Sequence, residues 1–353
     1  MSKNQRPLSR RSFLGHVGAA AAATTAATYA TTARAQATPP IKIRVAYQFG
    51  LVYAPILLMK ELGTIKRYDA DAVIEFSRVA TGGVIRDQFI AGQLDIGVLG
   101  PPPFLIGWQY LDWKYVVGTG IFPFKLVTWR DDIKTLHDFK PQDKIALPGL
   151  GSLQHILLAM AAEKQLGNAH ALDRNIITLP HPDATASILS KNPNVVAHFA
   201  NIPFLFRELD APFVHVVLDG FDAFGGPFMS PLAFTDPKFL EANPLAMAMF
   251  VAAYNDAVAV LNLDPQQAAK VLAPQFKETP EVMHRWLTWP GITFTSLSYG
   301  ILGWHDFMLK AGYIKKGPKD LADVCSPQLL AWIGLEAGKG ENPVQKLQGG
   351  HRV

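Results

Sequence analysis

The sequence predicts an α/β protein of two units, each a mainly parallel sheet flanked by helices. Three observations predict it. Strand and helix patterns alternate from residue 41 onward. The alternation starts afresh near residue 144. Two strand-like segments lie where the chain would leave the first unit and return to it.

The first strand is Ile41 to Tyr47, with apolar residues at alternate positions. A helix follows from Pro55, a residue suited to a first helical turn, and Gly63 is its stop. Ala72 to Phe76 is a second strand, and Gly82-Gly83 opens a helix that ends at Gly92. Asp95 to Leu99 is a short third strand. It runs into Gly100-Pro101-Pro102-Pro103, a rigid turn, and then another apolar helix. Tyr115 to Val117 is a further strand.

In the second unit the strands are Lys144 to Leu147, Ile176 to Leu179, Val195 to Phe199 and Phe213 to Leu218. The helices are Ser152 to Leu166, Asp183 to Ser190 and Pro203 to Leu209. After Asp236 strands are no longer expected, and Pro244 to Leu263 is the longest helical candidate. The crossing segments are Leu126 to Arg130 and Gly226 to Phe234. This gives a discontinuous first lobe, 38–128 with 226–353 and a helical tail, and a second lobe, 129–225. Two crossings make a hinge, about which such lobes close on a ligand.

Composition limits the function classes. Of 353 residues, 49% are hydrophobic and 18% charged, which is a globular balance. The formal charge of +4 comes from the N-terminal segment, where Lys3, Arg6, Arg10, Arg11 and Arg34 stand with no acidic residue. Without those five, 28 basic residues face 29 acidic ones, so no nucleic-acid partner is expected. Ser9-Arg10-Arg11-Ser12-Phe13-Leu14 resembles the twin-arginine export motif. An Ala-, Thr- and Gly-rich stretch and two small-residue cleavage sites follow, so residues 1–37 are expected to be a signal removed on export. The mature chain is then expected to be periplasmic and monomeric. Cys325 is the single cysteine, which leaves no internal disulfide and makes core packing its expected role.

Ligands of open α/β sheets bind beyond the carboxyl ends of the strands. "LPGLGSLQHILLAM" (147–160) supplies such a place. Ser152 can cap the helix, and Leu153, Ile156, Leu157 and Met160 form its core face. The free N–H groups of that helix start favour an anion. A nucleotide loop is disfavoured, because the Lys of the P-loop and the third Gly of the dinucleotide fingerprint are both missing. Two readings stand: a capped helix on a tight turn, or an anion or polar-group site. Gly100, Pro101 and Pro102 are either a plain turn or a preformed ligand wall. Phe49 and Tyr53, in the loop after the first strand, are the favoured aromatic wall. Arg78, Arg130 and Arg207 are either candidates for a bidentate anion contact or solvated surface residues.

No catalytic constellation is found. His155, His181, His198 and His215 lack metal-ligand spacing, no G-x-S-x-G elbow occurs, and Asp183 in "HPDA" is expected to cap its helix. The chain is therefore expected not to be an enzyme and to carry no cofactor or metal. The competing class is a periplasmic enzyme exported folded with its cofactor.

"AGQLDIGVLGPPP", "GLGSLQHILLA", "HPDATASILS", "VVAHFANIPF" and "GGPFMSPLAFTDPKFLEANP" together resemble the substrate-binding proteins of ABC importers for nitrate, sulfonate and taurine. The likeness runs from Ile41 to Ile333. It implies a two-lobed periplasmic binding protein of type II that closes on a small solute and docks on a membrane permease. It also implies that the cleft is lined by Phe49, Gly50 and Tyr53, by Gly82, by Gly100 to Pro102, by Gly151, Ser152 and Gln154, and by a wall including His198 and Asn201. Bacterial relatives that bind a thiamine pyrimidine precursor are the alternative. The pyrimidine synthase of the same superfamily carries a cysteine-rich motif that this chain lacks.

Overall fold

Twelve short strands form two five-stranded sheets and one two-stranded ribbon in the computed structural model, which describes residues 40–297 and 300–325. The export signal read over 1–37 and the chain beyond 325 lie outside the described residues. The strands are β1 (Lys42–Tyr47), β2 (Val73–Arg78), β3 (Ile96–Leu99), β4 (Lys114–Gly118), β5 (Gly120–Ile121) and β6 (Lys125–Thr128). They continue as β7 (Ile145–Leu147), β8 (Ile176–Thr178), β9 (Ala197–Ala200), β10 (His215–Asp219), β11 (Leu232–Thr235) and β12 (Thr293–Phe294).

The first sheet has the order β2-β1-β3-β11-β4 and the second β8-β7-β9-β6-β10. The two are the same topology. In each, four strands run parallel and one inserted strand runs antiparallel: β11 in the first, β6 in the second. The inserted strand is the crossing chain each time. β6 follows the first sheet's last parallel strand, and β11 follows the second sheet's. The fold is thus the two-lobed α/β arrangement the sequence predicts.

Some boundaries differ from the expectation. Lys125–Thr128, assigned by sequence to the end of the first lobe, pairs with β9 and β10 of the second sheet, which satisfy its backbone on both sides. Strands do not end at Asp236, because Thr293–Phe294 pairs with Gly120–Ile121. The three prolines after Gly100 are the first turn of the helix Pro101–Leu111 rather than a turn before it. The fixed φ of proline suits that turn, and its missing N–H is not needed there.

The helix Pro244–Leu263 is long and apolar enough to cross a membrane by length and composition alone, yet half of that stretch is buried within the fold. Tyr254 on it donates to the Gly118 carbonyl at the end of β4, and the Ala253 carbonyl accepts from Thr64. The first core is centred on Trp113, stacked on Phe234 at 4.3 Å. Gly107 permits this, since a Cβ there would lie 1.9 Å from the indole. Cys325 is buried, and burial pushes its thiol up to about 12.

Candidate functional site

In both sheets the first strand (β1, β7) has neighbours whose crossovers diverge, so a crevice opens beyond the strands' carboxyl ends. The two crevices face each other across a cleft of about 250 Å³. The loops after β1, β2 and β3 form one wall, and those after β7, β8 and β9 the other.

The walls touch. Leu51 N–H, after β1, donates to the Ile202 carbonyl, after β9, at 2.7 Å. Gly50 lies so close to Asn201 that a Cβ would meet its side chain at 3.0 Å, and its φ of +134° favours glycine. Gly151, with φ of +75°, has room only for hydrogen beside Ile106: a Cβ would sit 2.6 Å from its Cδ1. These contacts describe a closed cleft.

Of the twelve residues expected at the site, Phe49, Tyr53, Gly82, Gly100, Gly151, Ser152, Gln154 and Asn201 line the cleft. Four do not. Gly50 is buried and backs onto Asn201. Pro101 and Pro102 turn into the first lobe as a helix starts. His198 is fully buried behind His181. His181 lines the cleft in its place, because its helix begins at residue 181, not at Asp183. Asp183 sits in the first turn and is not the cap.

The candidate arginines lie outside the cleft. Arg78 stacks over Phe49 at 4.7 Å, Arg130 pairs with Asp132, and Arg207 pairs with Glu278, and none lines the cleft. The arginine that does is Arg86. It sits one turn into the helix Gly82–Ile90. Its contact with exposed Asp87 is a weak surface pair.

The glycine loop divides its donors in a way the sequence did not disclose. Gly151 N–H donates to His155 Nδ1 at 2.8 Å, and the Ser152 hydroxyl accepts from His155 N–H at 3.2 Å. His155 Nε2 therefore carries the hydrogen and donates to Asp173. Burial lowers the His155 pKa despite that carboxylate. The donors left facing the cleft are the N–H groups of Leu153 and Gln154, which have no intrahelical partner. Gly82 and Gly83 N–H are in the same position on the opposite wall, where Thr81 makes no side-chain cap. The helix at Gly100 contributes none, since Pro101, Pro102 and Pro103 have no N–H and Phe104 bonds back to Gly100.

Asn201 is 4% exposed, lines the cleft, and its Oδ1 has no partner. Gln48 donates to the Tyr53 hydroxyl at 3.0 Å, and burial raises the Tyr53 pKa. Behind Gln154 a chain of buried polar groups runs into the second lobe: His181, His198, Glu208 and Thr185. Burial, then His198, holds the His181 pKa well below the ordinary value, so its ring is neutral. Among the described residues no group of three or more His, Cys, Asp or Glu is arranged to hold a metal ion.

No family model matches the chain, and no curated protein matches it by sequence. Its fold is shared with solved structures. The periplasmic aliphatic sulphonate binding protein SsuA from Escherichia coli is similar with a TM-score of 0.64 at 21% identity, over 82% of this chain and 99% of that one. The alkanesulfonate-binding protein SsuA from Xanthomonas axonopodis pv. citri, bound to MOPS, gives 0.65 at 18% identity, over 83% and 99%. The periplasmic nitrate-binding protein NrtA from Synechocystis PCC 6803 gives 0.62 at 14% identity, over 84% and 86%. The chain has the two-lobed fold of these periplasmic binding proteins.

Proposed function

We propose that the chain is the periplasmic solute-binding component of an ABC importer. It traps a small anionic or zwitterionic solute of the sulfonate, taurine or nitrate type and delivers it to a permease in the inner membrane. The observation that carries this reading is the closed cleft between two sheets of one topology, with uncommitted donors on both walls. Leu153 and Gln154 offer backbone N–H groups on one side, Gly82 and Gly83 on the other, and Arg86 adds a cation. Helix N-termini and an arginine suit an anionic head group. Phe49, Tyr53 and Phe124 in the same walls suit an apolar tail, which favours an organosulfonate over bare nitrate. The same aromatic residues support a second reading, a small aromatic solute such as a thiamine pyrimidine precursor.

Thermal melts of the mature chain with ethanesulfonate, taurine, nitrate and an aminopyrimidine test the proposal. A ligand at 100 times its Kd adds about 2.7 kcal/mol of stability. Stabilisation by ethanesulfonate or taurine is the expected result. Stabilisation by the pyrimidine alone would transfer the assignment to the second reading, and no stabilisation by any of them would end both.

A further inference from the structure

The buried chain behind Gln154 has a property that its distances impose. Gln154 Nε2 lies 3.1 Å from His181 Nε2, and His181 Nδ1 lies 2.7 Å from His198 Nε2. His198 Nδ1 lies 2.6 Å from Glu208 Oε1, which also accepts from Thr185 Oγ1 at 2.5 Å. Glu208 and His198 are 0% exposed, and Glu208 Oε2 has no partner. Each contact holds one hydrogen, so the hydrogens must all point one way along the chain.

With Glu208 ionised and both rings neutral, His198 Nδ1–H donates to the carboxylate and His181 Nδ1–H donates to His198. His181 Nε2 then has only a lone pair, and the Gln154 amide must donate to it. The cleft is offered the amide oxygen, an acceptor. One more proton on the Glu208–His198 pair reverses the order. Whether Glu208 or His198 holds it, His198 Nε2–H donates to His181 Nδ1, and His181 Nε2–H donates to the Gln154 oxygen. The amide turns over, which leaves its heavy-atom positions nearly unchanged, and the cleft is offered its N–H groups. The balance is one proton taken from solvent, and the chain passes from net −1 to neutral.

The geometry points to Glu208 and His198 as positioning residues that couple the cleft's polarity to one proton: an anion at Gln154 binds together with that proton, and a cationic or donor group binds with its release. This rests on the proposed function, in that the solute is taken as anionic. Groups facing the chain are few. His181 and Thr185 come from the helix His181–Leu189, and His198 comes from β9. Thr128 of β6 is committed to the Val196 carbonyl, and Arg207, beside Glu208, to Glu278. No Lys or Arg among the described residues is hydrogen-bonded to the chain.

Calorimetric titration with ethanesulfonate, which does not itself titrate between pH 5.5 and 9, tests this. Matched runs in phosphate and Tris report the protons exchanged. Within one pH window, binding is expected to take up between half and one proton, with affinity falling up to about tenfold per pH unit. Glu208→Gln removes the ionisable carboxyl from the chain, so its binding should lose the proton uptake and vary less than about twofold with pH. Binding without proton exchange in the wild-type chain would overturn the inference and leave the proposed function standing. So would a Glu208→Gln variant that keeps the full pH slope. Should none of these solutes bind, the proposed function fails, and nitrogen-15 spectra of the histidines decide the chain by itself. His181 and His198 should switch tautomer together with pH in wild type and not in Glu208→Gln; independent behaviour would overturn the coupling.

Discussion

Leu51 donates its backbone N–H to the carbonyl of Ile202 at 2.7 Å, joining the loop after β1 of one sheet to the loop after β9 of the other. The bond lies at the cleft edge and leaves Gly50 pressed against Asn201. A side chain at 50 would have to occupy the space of the Asn201 amide at a φ that L-residues rarely adopt. Gly50→Val is therefore expected to hold the lobes apart. Affinity for the stabilising solute should fall more than tenfold, and small-angle scattering should show no compaction on adding it. A variant that closes and binds normally would remove this contact from the closure.

Gly151→Ala tests the other wall. The new methyl meets Ile106 Cδ1 at 2.6 Å and the φ of +75° is strained. A loss of about 1–3 kcal/mol is expected in urea unfolding. The double variant Gly151→Ala with Ile106→Ala should recover binding, since the clash is removed while the strain persists. Failure to recover would place the effect in the backbone alone.

Ser152 accepts from His155 N–H as the cap of the helix Leu153–Leu166. Ser152→Ala should cost about 1 kcal/mol in chemical denaturation. Solute affinity should also weaken, since the hydroxyl lines the cleft. Loss of stability with unchanged affinity would make Ser152 a cap and nothing else.

Stability should depend on pH from both sides. Burial lowers the pKa of His155 and His181, so the unfolded chain takes protons first. Their contribution is present above about 6.5 and is lost as pH falls below it. His170 is opposite: its bond to Asp173, then the Ala311 carbonyl, raises its pKa. Its contribution is full below about 6.5 and is lost as pH rises through the raised value. Thermal melts from pH 5 to 8.5 should show a maximum. His170→Gln should flatten the alkaline side and spare the acid side; an unchanged alkaline side would contradict this account.

The second lobe's site shows where sequence reasoning stops. Gly149, Gly151 and Ser152 after a hydrophobic strand marked the loop, because turn, cap and helix are local chemistry. Which N–H groups stay free was not legible, since the answer depends on the side chain of His155 folding back four residues. Asp183 looked like a cap because capping residues are common before helices, but Pro180 already begins this one and brings His181 to the cleft. Arg86 carries no sequence signal of its own, since a charged residue on an amphipathic helix is usually solvated. His198 was expected at the wall from the family resemblance, but the layer in front of it is His181.

The sequence by itself determined the α/β class and the two-unit arrangement. Hydrophobic period, glycine stops and prolines at helix starts act over a few residues, and each is written where it acts. Only the tertiary structure decided that the crossing strand β6 belongs to the second sheet, that Leu51 and Ile202 close the cleft, and that Gln154 is backed by His181, His198 and Glu208. Those contacts join residues far apart in the chain. A buried hydrogen-bond chain is fixed by the packing that brings its members within 3 Å, which no local pattern records.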